Sequence, residues 1–266
     1  AVVRLANARE AEGFIAASPQ ARHHFWLDRT RTAAIAAHTN AFKLNEDVVI
    51  PLERLADYSE GIERINIEQS TRNKLRMIEA VLDYLSTPLP ELEHSTRYQR
   101  SAENDAIIAG KIEAARALLL AVQRRWQTVL DRLDAPAAQF PDLIDAGLLA
   151  ASAAGSTLFN LLQRRELRIS YRREVERPLK EIFSGRDLEA VCMRLDAIHG
   201  EIRASRLFVA THMHAGDGNV HTNIPVHSSD YAMMQEAERM VQHIMALAES
   251  LGGVISGEHG IGLTKL

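Results

Sequence analysis

Cysteine is almost absent from this sequence: Cys192 is the single one among 266 residues. One thiol cannot form an intrachain disulfide, and by itself it cannot ligate an iron–sulfur cluster. The sequence also lacks an apolar run long enough to cross a bilayer, and its N-terminus does not have the pattern of a signal peptide. We therefore predict a protein without a transmembrane segment, in a reducing compartment, the cytoplasm.

Glycine and proline, which interrupt helices, are also scarce, and basic residues are not in excess over acidic ones. The sequence has 14 glycines and 8 prolines but 38 alanines, a composition that favours helix and argues against an all-β sandwich or barrel. Its 31 basic and 35 acidic residues give a net charge of −4. No basic field is therefore expected on the surface, and we predict no nucleic-acid partner.

Histidine and glycine are concentrated at the C-terminal end. Six of the 11 histidines and half of the 14 glycines lie in the last 55 residues, whereas the middle is rich in Ala, Leu, Arg and Glu. We therefore divide the chain into an N-terminal segment (1–60), a helical middle (61–204) and a Gly/His-rich segment (205–266). The sequence starts without Met and stops directly after a glycine-rich motif, so we expect it to be a piece of a longer polypeptide.

The middle region shows the apolar spacing of long helices. Apolar residues recur in alternating steps of four and three over 108–133 and again over 144–162, with Pro136 between the two stripes. This pattern predicts two helices that face each other as a long antiparallel hairpin. Shorter helices are predicted at 63–85 and 187–203. The region is either a self-contained helical layer or an arm that docks a partner.

Both ends of the chain show the alternating side-chain pattern of strands. The predicted elements are strands at 47–51, 207–213, 220–226 and 254–256, and a helix at 230–250. Asp217-Gly218, between the second and third strands, is a hairpin signal. The predicted fold class is α+β: a small, mostly antiparallel sheet with helices on one face, plus a large all-helical insertion.

Two histidines flank the predicted hairpin turn. His214 and His221 are seven residues apart, so paired strands would bring both imidazoles to one place. Two imidazoles and a carboxylate form an open divalent-metal site. Glu258, which has Gly257 and Gly260 on either side, is the candidate carboxylate. His259 beside it is a candidate proton acceptor. The alternative is that Asp217 and the histidines only cap a turn.

Two motifs in this segment resemble a known family. The run HAGDGNVH at 214–221, followed by SGEHGIG at 256–262, is similar to the paired signature of the FAD-linked oxidase C-terminal domain. This domain occurs in D-lactate dehydrogenases, the glycolate oxidase flavoprotein subunit and D-2-hydroxyglutarate dehydrogenase. Nearer the N-terminus, FWLDR at 25–29 resembles the family's Trp-x-x-Arg, and DVVIPLERL at 47–55 resembles its strand-to-helix element.

The resemblance implies roles for individual residues. The residues that match the ligands of a divalent metal, such as zinc, are His214, His221 and Glu258. His259 matches the base that accepts the proton of the substrate hydroxyl. Asn223 matches a polar residue of the substrate site, and Arg29 matches an arginine that pairs with the substrate carboxylate. His212 alternates in phase with His214 and is expected behind the site rather than among the ligands.

The resemblance also implies a reaction, the FAD-dependent dehydrogenation of a 2-hydroxy acid of the D-lactate, glycolate or D-2-hydroxyglutarate type. The family's flavin-binding domain precedes this region, so FAD is expected to be bound mainly by another domain of the same polypeptide. The 266-residue chain alone is expected to be colourless and inactive.

The long helical middle departs from the family pattern and leaves other functions open. It resembles an insertion of large flavin/iron–sulfur relatives, which makes an iron–sulfur protein a candidate electron acceptor. The alternative function is a helical protein-interaction module whose metal motif no longer works. A metal-dependent hydrolase is a third interpretation, supported only by the two-histidine, one-glutamate set.

Overall fold

The fold is built on a small antiparallel sheet, seen in a computed structural model that describes residues 2–9, 15–32, 42–93, 98–144, 155–258 and 260. Its strands are β1 (Phe42–Val49), β2 (Ala210–His214) and β3 (Asn219–Val226), in the order β1-β3-β2. The two pairings are antiparallel, as predicted. The hairpin that joins β2 to β3 is therefore confirmed, and β1 completes the sheet from far away in the sequence.

Helices make up most of the rest of the described chain. They are α1 (Val2–Asn7), α2 (Pro19–Thr32), α3 (Leu55–Tyr84), α4 (Pro90–Glu93), α5 (Ala102–Asp131), α6 (Leu158–Gln163), α7 (Arg177–Ile182), α8 (Glu189–Ala204) and α9 (Tyr231–Ser250). Short 3-10 turns lie at Leu52–Arg54, Ala137–Gln139, Pro141–Leu143 and Arg186–Leu188, and a π-helical turn lies at Arg172–Glu176. The α+β class predicted from the sequence is confirmed.

The two faces of the sheet differ in chemistry because side chains alternate along each strand. Val48, Val220 and Ile224 belong to a buried core to which α9 contributes Met233 and Ile244. The opposite face is polar and carries the histidines described below. The predicted arrangement, with helices on one face of the sheet, is thus what the structure shows.

Helix α3 belongs to two cores. Near its start, Tyr58 and Ile62 are buried with the sheet and α9. Further along, Leu75 and Ile78 are buried in a separate, all-helical core with α5 and α8. The sequence boundary placed between residues 60 and 61 falls inside this helix, so the sheet and the helical region are joined by a continuous rod.

The predicted helix at 108–133 is confirmed as α5, and its partner is α3. The Ser101 side chain caps its first turn by accepting a hydrogen bond from the Asn104 amide (3.1 Å). Arg116 donates to the Leu82 carbonyl (3.4 Å), whereas Arg64, near the start of α3, pairs with Asp134, just past the end of α5. The two 30-residue helices are therefore antiparallel.

The second predicted helix, at 144–162, is not continuous. Ile144 is extended, residues 145–154 lie outside the described part of the chain, and Gly155 has φ +100°. Helix α6 starts only at Leu158, because Thr157 and Asn160 form a reciprocal capping box that favours a helix start at this point. Even so, Ile144 and Leu158 pack in one core with Val129 of α5.

Other boundaries moved by a few residues. α8 begins at Glu189 after a 3-10 turn, two residues later than predicted. The predicted strand at 254–256 is reduced to a single β-bridge between Val254 and Val49. Between 61 and 204 the described residues form no strand, although Pro136 and Thr157 make an isolated bridge.

Tyr58 offers a test of the core beneath the sheet. Its hydroxyl is buried and has no hydrogen-bond partner among the described residues, and burial raises the pKa of Tyr58. Tyr58→Phe removes this unsatisfied group and keeps the ring, so the free energy of unfolding should rise by up to about 1 kcal/mol. Urea denaturation measures this change. Tyr231→Phe, at a 76% exposed site, is the control and should change nothing; a clear loss of stability in Tyr58→Phe would contradict the expectation.

Candidate metal centre

The polar face of the sheet aligns three side chains across its strands. His221 on the central strand β3 lies directly opposite Asp47 on β1 and His212 on β2. Directly paired residues on one face have Cβ atoms about 4.5–5.5 Å apart, so their side chains interact. His214, two residues beyond His212, projects from the same face beside the hairpin turn.

Three imidazoles meet at this place. Each of His212, His214 and His221 offers a ring nitrogen within 4.8 Å of the others. The His212 and His221 rings are stacked with centroids 4.6 Å apart, and the His214 ring meets the edge of His221 at 5.5 Å. Neutral imidazole nitrogens are preferred ligands of zinc and similar divalent metals. The donor set therefore fits such an ion.

A carboxylate lies beside this group of histidines. Glu258 Oε2 lies 3.7 Å from His221 Nε2, with the glutamate side chain 57% exposed and the histidine buried. Of the three residues predicted to hold a metal, His214 and Glu258 thus both lie beside His221. His212, expected behind them, instead lies in the group with its ring against His221.

Asp47 holds the loop that carries Glu258. The carboxylate of Asp47 is fully buried, and its Oδ2 accepts hydrogen bonds from the amides of Gly257 (2.6 Å) and Glu258. A Cβ on Gly257 would stand 2.9 Å from that oxygen and 3.0 Å from Asn219 Oδ1, so only glycine lets the loop approach so closely. Asp47 therefore fixes the backbone from which Glu258 reaches His221.

Asp47 was not identified from the sequence as a site residue. The sequence offered one signal for it, since Asp47 stands directly before the apolar run 48–50 and two residues after Asn45. Its partners lie more than 200 residues away, however, and no local spacing connects them.

Two asparagine oxygens face the same region without partners. The Oδ1 atoms of Asn219 and Asn223 are buried and accept no hydrogen bond among the described residues. Both residues are on β3 in phase with His221, and Asn223 was predicted as a substrate-site residue. A buried acceptor left without a donor costs free energy, so a ligand with a hydroxyl or ammonium donor would be stabilised here.

Two further predicted site residues are not placed at this centre by the structure. His259 lies outside the described part of the chain. The backbone of Arg29 belongs to α2, but its side chain is likewise outside what the structure describes. Their assigned roles stay predictions.

Removing the Asp47 carboxylate should weaken metal binding. Asp47→Ala deprives two loop amides of their acceptor, so Glu258 is no longer held beside His221. Loss of a group that orients a ligand typically costs about 10- to 100-fold in metal affinity, and titration calorimetry with Zn²⁺ measures it. The control is Glu53→Ala, an exposed acid in the Leu52–Arg54 turn; an unchanged affinity in Asp47→Ala would contradict this role.

The chain matches the sequence profile described as FAD linked oxidases, C-terminal domain, over residues 1–80 and 105–266. It is 41% identical over 66 residues to the mitochondrial D-lactate dehydrogenase [cytochrome] of Arabidopsis thaliana. It is 50% identical over 56 residues to a D-lactate dehydrogenase of Archaeoglobus fulgidus, and 43% identical over 60 residues to glycolate oxidase subunit GlcD of Escherichia coli. No solved structure matches the chain.

The matched segments are short relative to both partners. They cover 25%, 21% and 23% of this chain, and 12% of each relative. No iron–sulfur partner appears in the name of the family or in the names of these relatives, so that expectation gains no support. In the part of the chain that the structure describes, no helix is both long and apolar enough to span a bilayer.

Proposed function

Since this chain belongs to the FAD-linked oxidases, as a C-terminal domain of that family, we propose that it binds the substrate and a divalent metal in an oxidoreductase that dehydrogenates a 2-hydroxy acid. The observation that carries the proposal is the group of three imidazoles and Glu258 on the polar face of the sheet. D-lactate and glycolate, which appear in the names of the relatives, are both 2-hydroxy acids.

The protein's own groups suit this substrate class. We assign His212, His214, His221 and Glu258 to the metal. A divalent metal held there would lower the pKa of the 2-hydroxyl of such an acid. The 57% exposure of the Glu258 side chain leaves this group accessible from solvent, as a substrate-binding centre requires.

Other residues handle the substrate and its proton. Asn223 Oδ1 accepts a hydrogen bond from the substrate and so orients it beside the imidazoles. His259, next to Glu258 in the chain, takes the hydroxyl proton, and the guanidinium of Arg29 pairs with the substrate carboxylate. Both last assignments rest on the sequence resemblance.

The described residues do not form the pyrophosphate-binding turn by which a dinucleotide-binding domain holds FAD. Such domains cradle the pyrophosphate in a glycine-rich turn between a strand and a helix N-terminus. Here the turn around Gly218 joins two antiparallel strands instead. We therefore place FAD mainly on another domain of the same polypeptide and assign no step in this chain to it. The single cysteine is consistent with our proposal of a cytoplasmic location.

Calorimetric titration of the chain tests the proposal in two stages. Zn²⁺ should bind at one site, and D-lactate, glycolate or D-2-hydroxyglutarate should then bind to the zinc-loaded chain but not to the metal-free chain. Propionate, which lacks the 2-hydroxyl, is the matched control and should bind more weakly. A chain that binds no metal would favour the alternative function, a helical interaction module with a non-functional metal motif.

A further inference from the structure

A cavity lies in the helical region, on a different side of α3 from the sheet core. It has a volume of about 530 Å³ and lies between α3 and the segment that follows α6. α3 contributes Asn66, Ser70 and Lys74, which are spaced four residues apart and so share one helix face. Arg165 and Arg168 line the opposite wall. The floor is apolar, made by Ile67, Leu162, Leu167 and Ile169.

The cavity concentrates positive charge. Among the described residues, Lys74, Arg165 and Arg168 form no direct ion pair with a carboxylate, although Glu63 lies on the rim and the charge of Glu174 acts on Lys74. Lys74 Nζ donates to Ser70 Oγ (2.9 Å), and Arg168 Nε donates to the Arg165 carbonyl (3.1 Å). Burial lowers the pKa of Lys74, which means that its ammonium is poorly solvated where it stands.

The backbone of Arg165 has a left-handed conformation that is unfavourable for residues other than glycine. Arg165 has φ +61° and is the one non-glycine residue with positive φ in the described part of the chain. It ends α6 in a Schellman motif, with hydrogen bonds from the Arg165 amide to the Leu162 carbonyl (3.0 Å) and from the Glu166 amide to the Leu161 carbonyl (2.9 Å). Glycine is the usual residue at this position, so arginine here sacrifices stability and keeps a cation on the cavity wall.

We propose that this cavity binds a small phosphate monoester with an apolar or ring-shaped body. Two guanidinium groups, an ammonium and the hydroxyl of Ser70 supply the donors that a phosphate group needs. The apolar floor takes the body of the molecule, and the volume lies within the range of pockets for small organic ligands. The site is separate from the metal centre and does not depend on the function proposed above.

Calorimetry with phenyl phosphate and inorganic phosphate tests this inference. The titrations contain EDTA, so that a metal on the histidines does not bind phosphate. Phenyl phosphate should bind at one site, about tenfold more tightly than inorganic phosphate, because only the ester reaches the apolar floor. Benzoate distinguishes a carboxylate site from a phosphate site, and benzoate binding as tight as that of phenyl phosphate would overturn the assignment to phosphate.

Variants separate the cavity from general surface charge. Arg165→Gly and Lys74→Met should each weaken phenyl phosphate binding about tenfold or more. Arg124→Gln, which removes one positive charge at an exposed site on α5, should leave the affinity within about twofold. An equal loss in all three variants, or no saturable binding by the wild-type chain, would overturn the proposal.

Arg165→Gly also contains its own folding control. Because glycine relieves the left-handed backbone strain, this variant should have a higher Tm than the wild-type chain while it binds phenyl phosphate less tightly. Opposite changes in stability and affinity are not produced by damage to the fold. A lower Tm in Arg165→Gly would contradict the argument that the arginine is kept for its side chain.

Discussion

Gly218→Ala is expected to remove about 2–4 kcal/mol from the free energy of unfolding. Gly218 has φ +72°, and a Cβ at this position would lie 2.1 Å from the Ile50 carbonyl oxygen. The two residues cannot separate easily, because the Ile50 amide donates to the Gly218 carbonyl (2.9 Å). The methyl group therefore forces β1 away from the hairpin. Urea or thermal denaturation measures the loss.

The same turn contains a matched control. At Gly216 no atom of the described residues lies within 4 Å of an added Cβ, and its φ lies outside the positive region. Gly216→Ala should therefore change stability by less than about 0.5 kcal/mol. Two alanine substitutions two residues apart should thus differ severalfold in effect. Equal stabilities for the two variants would show that the contact between Gly218 and Ile50 does not constrain the sheet.

His221→Ala is expected to reduce Zn²⁺ affinity by about 100-fold or more. Removal of a metal ligand should cost more affinity than removal of a residue that only orients a ligand. His221 has the shortest ring-centroid distances to the other two imidazoles, 4.6 and 5.5 Å, and its Nε2 lies 3.7 Å from Glu258 Oε2. Removing it separates His212 and His214 from the carboxylate. Calorimetry or a competition assay with a zinc-binding dye measures the change.

The control for His221→Ala is His243→Ala, which removes an exposed imidazole from α9. Zinc affinity should be unchanged in this variant. Since His221 is buried, the circular dichroism spectrum and Tm of His221→Ala must be recorded to show that the sheet is intact. Retention of full zinc affinity by a folded His221→Ala chain would contradict the assignment of these histidines to a metal.

The parts of this fold that could be predicted from the sequence are those specified locally. The hairpin between β2 and β3 follows from a short alternating pattern around Asp217-Gly218, and that hairpin alone brings His214 close to His221. Likewise, the apolar repeat over 108–133 is enough to define α5. In each case a few consecutive residues contain the physical cause of the structure.

The parts that could not be predicted depend on pairing across long distances. Asp47 meets His221 only because β1 joins β3, and the two residues are separated by the whole helical region. The apolar repeat over 144–162 predicted one continuous helix. The capping residues Thr157 and Asn160 instead start a new helix at Leu158. The true partner of α5 is α3, which no repeat in the sequence indicates.

The central position of β3 restricts how the chain length can vary in evolution. His221 is in register with His212 on one side and Asp47 on the other. Deletion or insertion of a single residue within β3 would turn its histidine toward the apolar core under α9 and expose Val220 or Thr222 in its place. Such a change reverses both faces at once. Length differences between related chains should therefore fall in the exposed part of the turn, at 215–217, or in the helical region, and not within this strand.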